Sequence, residues 1–253
     1  VTEVLQTLIE QLHHPDKNVR SSAVFALEKL DDAGVADALI QALSTEPDFY
    51  VREDLTWALV RIGEPAFQKL LDMLGDRQAS GRSYMAHTLS KMRDARAVDA
   101  LLGVLHDPDL AVVRKAVFAL GQIGETRAIP AIVGLLGHED EELQTVLTQA
   151  LEQFGPSAVP DLLRAMAHES PTVREQAAHI LGQIGGEEAA TALIHALGDS
   201  EWQVRFAAVT ALGYTGGERA RAALQALPDD PRLSGLVPKV LARMKRARPA
   251  SAD

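Results

Sequence analysis

The sequence predicts an all-α fold, a right-handed α-solenoid of about eight stacked helical hairpins, and three observations predict it. Leu27, Leu59, Leu89, Leu120, Leu151, Leu181, Leu212 and Leu241 follow one another at gaps of 29 to 32 residues. A fixed period in this range marks a stack of helical units, none of which can bury its apolar face alone. The chain is 47% hydrophobic but only 4% aromatic, a composition suited to closely packed helices rather than to a β-sandwich. Glycines fall a few residues beyond most of the marker leucines, where a helix C-terminus belongs.

Each element follows from aligning the marker leucines at offset +8. Offset 0 then holds Val19, Val51, Gly81, Val112, Leu143, Val173, Val204 and Leu233. Offset +4 holds Ala23, Leu55, Met85, Ala116, Leu147, Ala177, Ala208 and Val237, and offset +7 is mostly small. Offsets 0, +4, +7 and +8 give the apolar stripe of a buried helix. This is the second helix of each hairpin, helix B, and the small residues let neighbouring B helices approach closely. Asp16, Asp48, Asp109, Asp140, Ser170 and Asp230 stand three residues before offset 0, at the expected N-caps. Gly63, Gly124, Gly155, Gly185 and Gly216 are the expected left-handed ends. Helix A of the next unit follows, as in 97–102 and 189–194. The expected units are about 1–31, 32–63, 64–93, 94–124, 125–155, 156–185, 186–216 and 217–245. Together they make one continuous domain, 1–245, with a disordered tail over 246–253.

The third unit departs from the pattern. Gly81 replaces the offset 0 valine, Gln78 the cap and Thr88 the usual alanine, and Met85 sits at +4. A glycine there is expected to leave a hole at a core position. It is either drift or a local bend that opens a groove at Tyr84 and His87.

Charge and cysteine usage narrow the function. A formal net charge of −10 argues against a nucleic-acid partner, since phosphate binding needs a concentrated basic footprint. With no cysteine there is neither a disulfide framework nor a thiolate ligand or nucleophile. No apolar stretch reaches bilayer-spanning length. No signal-peptide pattern opens the sequence as it stands, and a reducing, cytoplasmic setting is expected. The expected assembly is a monomer or weak oligomer.

The run Val173-Arg174-Glu175-Gln176-Ala177-Ala178-His179-Ile180-Leu181-Gly182-Gln183-Ile184-Gly185 resembles the second helix of the short HEAT-like repeat named after phycobilin lyases. The stretches 204–213 and 113–124 are similar, so the resemblance covers almost the whole chain. It implies an armadillo-like superhelix but no single activity, because the repeat serves lyases, a hydroxylase and plain binding scaffolds. In the hydroxylase branch, His-Glu pairs inside helix B, at offsets +2 and +3, bind iron. Here those offsets hold Ser21-Ser22, Glu53-Asp54, Thr145-Val146 and Glu175-Gln176, and His138-Glu139 and His168-Glu169 fall in turns. The turn histidines, His14 and His106 among them, are therefore expected to be solvated neighbours of caps. No metal, cofactor or catalytic residue is expected.

With the stripe buried, offsets +2, +3, +6 and +10 face the concave groove. Phe25, Trp57, Tyr84, His87, Phe118, Phe206 and Tyr214 occupy them. At +6 the order is Phe25, Trp57, His87 and Phe118, then Gln149, His179, Thr210 and Lys239, so the aromatic run belongs to the first four units. Glu53, Asp54, Arg61, Lys91 and Lys115 flank it, with Lys29 and Arg114 nearby. Large aromatics beside arginine are typical of interface hot spots. The expected function is a non-catalytic scaffold that binds a protein or peptide segment there. The competing reading of the aromatics is that they pack sideways against the next helix B and merely fill the groove. From another functional class comes a bilin lyase or isomerase subunit, with the aromatics as walls and Arg61 and Lys91 for propionates. Glu53 and Asp54 diverge by about 100° on the helix and cannot act as an acid–base pair.

Overall fold

A computed structural model describes residues 2–30, 32–215, 217–228 and 230–246. Val1, the expected cap at Gly216 and the expected tail beyond residue 246 lie outside the described residues. The chain folds as helical hairpins, with no strand among the described residues. Its contacts gather into two compact units, Val1–Glu125 and Thr126–Asp253.

In the first unit the hairpins are α1 (Thr2–Gln11) with α2 (Lys17–Leu27), α3 (Gly34–Thr45) with α4 (Phe49–Ile62), α5 (Glu64–Gly75) with α6 (Arg82–Met92), and α7 (Val98–Gly103) with α8 (Leu110–Ile123). In the second they are α9 (Ile129–Val133) with α10 (Glu141–Phe154), α11 (Val159–Ala165) with α12 (Pro171–Ile184), α13 (Glu187–Ala196) with α14 (Trp202–Thr215), and α15 (Glu218–Gln225) with α16 (Val237–Arg246). Within each unit the second helices of successive hairpins pack on one another, and so do the first helices from α3 to α7 and from α9 to α15. Two helical layers result, with the core between them.

The core is the leucine register made physical. Leu27, Leu59, Leu89, Leu120, Leu151, Leu181 and Leu212 are 0% exposed. Offset +4 is buried from Ala23 through Ala208. Offset +5 (Val24, Ala86, Val117, Ala178, Val209) is buried as well, so the apolar stripe is wider than the expected one. Asp16, Asp48, Asp109 and Asp140 cap their helices, each carboxylate accepting a backbone N–H. Ser170 occupies its cap position without a side-chain cap bond; Pro171 presets the first turn, and the Ser170 N–H donates to His168 Nδ1.

The last hairpin departs from the expected register. Residues 231–236 form turns, and α16 begins at Val237, four residues beyond the expected offset 0. Pro238 has no N–H to donate and is tolerated only in a first turn, which sets that start. Leu233 stays buried, but Leu241 is only half-buried and Val240 and Met244 fill the core beside it.

Gly81 does not leave a hole. Its backbone is left-handed (φ 72°) and serves as the N-cap of α6. A Cβ there would lie 2.6 Å from Ser44 Cα and 2.9 Å from Ser44 Cβ, so the glycine is required by conformation and by the close approach of α3.

The arginines at offset +1 tie hairpin to hairpin. Arg20 meets Glu46 through Nε (2.8 Å) and Nη2 (2.7 Å), and its Nη1 donates to the carbonyls of His14 and Pro15. Arg82 grips Asp107 with both Nη atoms, the pair being 8% and 3% exposed. Arg174 meets Asp199 (2.8 and 2.9 Å) and the carbonyls of His168 and Glu169. Arg205 meets Asp230 (3.1 and 2.7 Å) and the carbonyls of Asp199 and Ser200. Arg20, Arg174 and Arg205 each span their own turn and the turn of the next hairpin, and Arg82 reaches the turn of the next hairpin. Each of these acids also accepts the N–H of the residue two further on, at 2.9 Å.

Hydrogen bonds from Arg82, Arg174 and Arg205 hold Asp107, Asp199 and Asp230 below the ordinary carboxylate value of 3.8. A carboxylate depressed in the folded state contributes stability that is complete above its unfolded value. That contribution is lost as pH falls through the folded value. Urea unfolding should therefore show constant stability from pH 7 to about 5 and a steep loss below about 4. Asp107→Asn should cost about 3–5 kcal/mol at pH 7, because it strands a buried guanidinium, and should flatten the acid limb. An acid limb unchanged in Asp107→Asn would remove the pair from that account. Leu181→Ala should cost about 2–5 kcal/mol in the same assay; a parental midpoint would mean the wrong face has been placed inside.

Candidate functional site

In the first unit α2, α4, α6 and α8 lie side by side in the second-helix layer, and their offset +6 side chains share a face. Phe25 is 42% exposed and Trp57 45%, while His87 and Phe118 are half-buried. The His87 and Phe118 rings stack, with centroids 6.5 Å apart and planes at 26°. His87 Nε2 lies 3.3 Å from Glu53 Oε1, and its Nδ1 is buried without a partner. Glu53, His87 and Phe118 thus come together from three successive helices.

The flanking charges divide between this cluster and other duties. Asp54 turns the opposite way from Glu53 and accepts from Ser21 Oγ at 2.5 Å. Arg61 is paired with Glu28, its Nε donating at 3.0 Å. Tyr84 lies 5.2 Å from the Arg52 guanidinium, away from the His87 cluster's hydrogen bonds. Burial first, and then Lys115 and Lys91, hold the His87 imidazole below its ordinary 6.5, with Glu53 opposing them. Partial desolvation and then Lys91 hold the Lys115 ammonium below the usual lysine range, again against Glu53. The face thus carries a small charged cluster built on Glu53 and His87, together with the exposed rings of Phe25 and Trp57.

The second unit has a groove of its own on the corresponding face. A volume of about 670 Å³ opens over α10, α12 and α14, lined by Gln149, His179, Glu175, Gln176, Phe206 and Thr210 among others. Gln149, His179 and Thr210 continue the +6 series. The signal was therefore present in the register, in amides and hydroxyls instead of rings. Phe206, 40% exposed, is on this wall, whereas Tyr214 packs under the Arg243 guanidinium at 4.2 Å.

The turn histidines are more than neighbours of caps. His14, His138 and His168 each accept, through Nδ1 at 3.0 Å, the N–H of the residue two further on. This is the duty that Glu46, Asp107, Asp199 and Asp230 perform in the other turns, and it requires the imidazole proton to sit on Nε2. Among the described residues no three histidine, aspartate or glutamate side chains converge as a metal site. Among the same residues no helix is long and apolar enough to cross a membrane.

The comparisons with known proteins agree with this architecture. The family model for HEAT repeats matches residues 5–83, 67–152, 134–203 and 159–236. An uncharacterized phycocyanin operon protein Z of Pseudanabaena tenuis is 27% identical over 71% of this chain and 95% of its own length. A mutant of Kap121p superposes with a TM-score of 0.57 at 17% identity, over 97% of this chain and 34% of that one, and shows the same fold. The complex of CpcE and CpcF of phycocyanin lyase from Nostoc gives a TM-score of 0.42 at 24% identity, over 95% and 94% of the two chains.

The electrostatics of the cluster can be read by a ring-proton titration of His87. Its midpoint should lie below 6.5, should fall further in Glu53→Gln, which removes the opposing carboxylate, and should rise in Lys115→Gln. A midpoint that rises in Glu53→Gln would contradict the contact between these two side chains.

Proposed function

The chain belongs to the HEAT-repeat family, and we propose that it works in the cytoplasm as a non-catalytic scaffold, binding a protein or peptide segment along the face shared by α2, α4, α6 and α8. The observation that carries this reading is the pair Phe25 and Trp57, two large apolar rings 42% and 45% exposed on adjacent helices that pack together. Rings left open to water beside Arg61 and Lys91 are the kind of group that contributes most when a partner covers them. The reading is supported by what the carboxylates do. Glu53 faces His87 and Asp54 faces Ser21, so the two neighbouring acids serve different contacts rather than one reacting centre. The net charge of −10 favours a protein partner over a nucleic acid.

A second reading, a lyase-type subunit that handles a linear tetrapyrrole, is favoured by one observation. The relative from Pseudanabaena is named for a phycocyanin operon, and the repeat that this chain resembles is named after phycobilin lyases. Titration with a free bilin separates the two readings. A saturable red shift of the bilin band, lost in Trp57→Ala, would move the assignment to the chromophore.

For the scaffold reading, Trp57→Ala should weaken a captured partner by about 2 kcal/mol or more while leaving the melting temperature nearly unchanged. A loss of about 3–5 kcal/mol in stability would instead mark the indole as packing material. Calorimetric binding and a thermal melt on the same preparation decide between them.

A further inference from the structure

The arginine at offset +1 recurs as Arg20, Arg52, Arg82, Arg174 and Arg205, and four of these grip a carboxylate from the next hairpin. Arg52 is the exception among the described residues. Its Nη1 donates to the carbonyls of Glu46 (2.9 Å) and Pro47 (2.7 Å), as the loop-tying arm does in Arg20, Arg174 and Arg205. Its Nε and Nη2 receive no carboxylate, and neither is a buried, unpartnered atom, so both stay open to solvent. The acid due at this position is Asp76. Its carboxylate accepts the Gln78 N–H, as the acids of the filled rungs accept theirs, and its field acts on Arg82, but no hydrogen bond joins it to Arg52. The turn that carries Asp76 ends at Gly81, which is pressed against the Ser44 backbone.

The ground around this open edge is unusual too. Phe49 and Tyr50, at the start of α4, are 59% and 71% exposed and meet edge to face at 5.6 Å. The Arg52 guanidinium lies 6.0 Å from the Phe49 ring and 5.2 Å from the Tyr84 ring. Lys17 reaches over Tyr50 but is already paired with Asp48 at 3.3 Å. One forked cation with free donors, set among exposed rings, matches a single planar carboxylate with apolar neighbours better than a multiply charged phosphate.

We propose that this vacant rung is a docking point for an aspartate or glutamate side chain of a partner protein's extended segment, with apolar residues beside that acid packing on Phe49 and Tyr50. The argument for the occupant is internal to the chain: Arg20, Arg82, Arg174 and Arg205 show what this side chain takes when the position is filled. The site is distinct from the Phe25–Trp57 face and shares with the scaffold reading only the class of partner.

A random peptide library displayed on phage and panned against the protein tests it. Enriched peptides should share an acidic anchor within a few residues of an aliphatic or aromatic side chain. Their affinity should fall at least about tenfold in Arg52→Gln. Because Arg52 also ties its own turn, Tyr50→Ser is the companion variant. That ring is 71% exposed, its loss should leave the melt unchanged, and it too should weaken the peptides several-fold. No enrichment over bare support, enriched peptides without an acid, or affinity indifferent to Arg52→Gln would each overturn the proposal. Peptides that depend on Trp57 but not on Arg52 would overturn it while leaving the scaffold reading in place.

Discussion

A guanidinium that reaches two turns at once is the interaction on which this architecture leans. Apolar burial holds the helical layers together but is indifferent to small slips along them. The arginine rung is not: its loop-facing arm fixes one turn, and its carboxylate-facing edge sets the height of the next hairpin. Because Glu46, Asp107, Asp199 and Asp230 also accept a backbone N–H, the same atoms close the turn and define its neighbour. Rungs so nearly buried lend specificity of register more than net stability, since desolvating both charges offsets most of their attraction.

The turns tolerate a change of chemistry provided an acceptor is kept. Where His138 and His168 stand, the ring nitrogen takes over the backbone bond. Gln144, at the arginine position before His168, still donates to the carbonyl of His138 at 2.7 Å. A histidine cannot serve a guanidinium as a carboxylate does, and here no arginine asks it to. Three of the eight histidines, His14, His138 and His168, thus serve to close turns.

Much of the fold was legible because burial repeats with helical spacing: the marker leucines from Leu27 to Leu212, the buried residues at +4 and the caps Asp16, Asp48, Asp109 and Asp140 occupy their expected places, whereas Asp230 and Leu241 of the last hairpin do not. What escaped was set by events outside the local pattern. The start of α16 depends on a proline placed beyond the apparent register. The fit of Gly81 depends on the backbone of a different helix, and no reading of the third unit alone reveals it. For the site, ring types drew attention to Phe25 and Trp57, which are 42% and 45% exposed. The amide and hydroxyl groove of α10, α12 and α14 used the same positions with quieter side chains. The rung at Arg52 was invisible because an acid, Asp76, is present in the sequence near the expected spacing, and only the structure shows that it makes no bond to Arg52.

Arrays of similar hairpins grow and shrink by duplicating or deleting whole units, since any hairpin that presents the common face to its neighbours can be spliced in. Gly81 limits that freedom. The third hairpin seats its turn directly on the main chain of α3, at a spacing no side chain fits. Copied elsewhere, that turn would meet a neighbour not shaped for it; removed, it would leave the α3 end without its cover. The second and third hairpins are thus a matched pair, and an exchange of either one would have to carry the other with it.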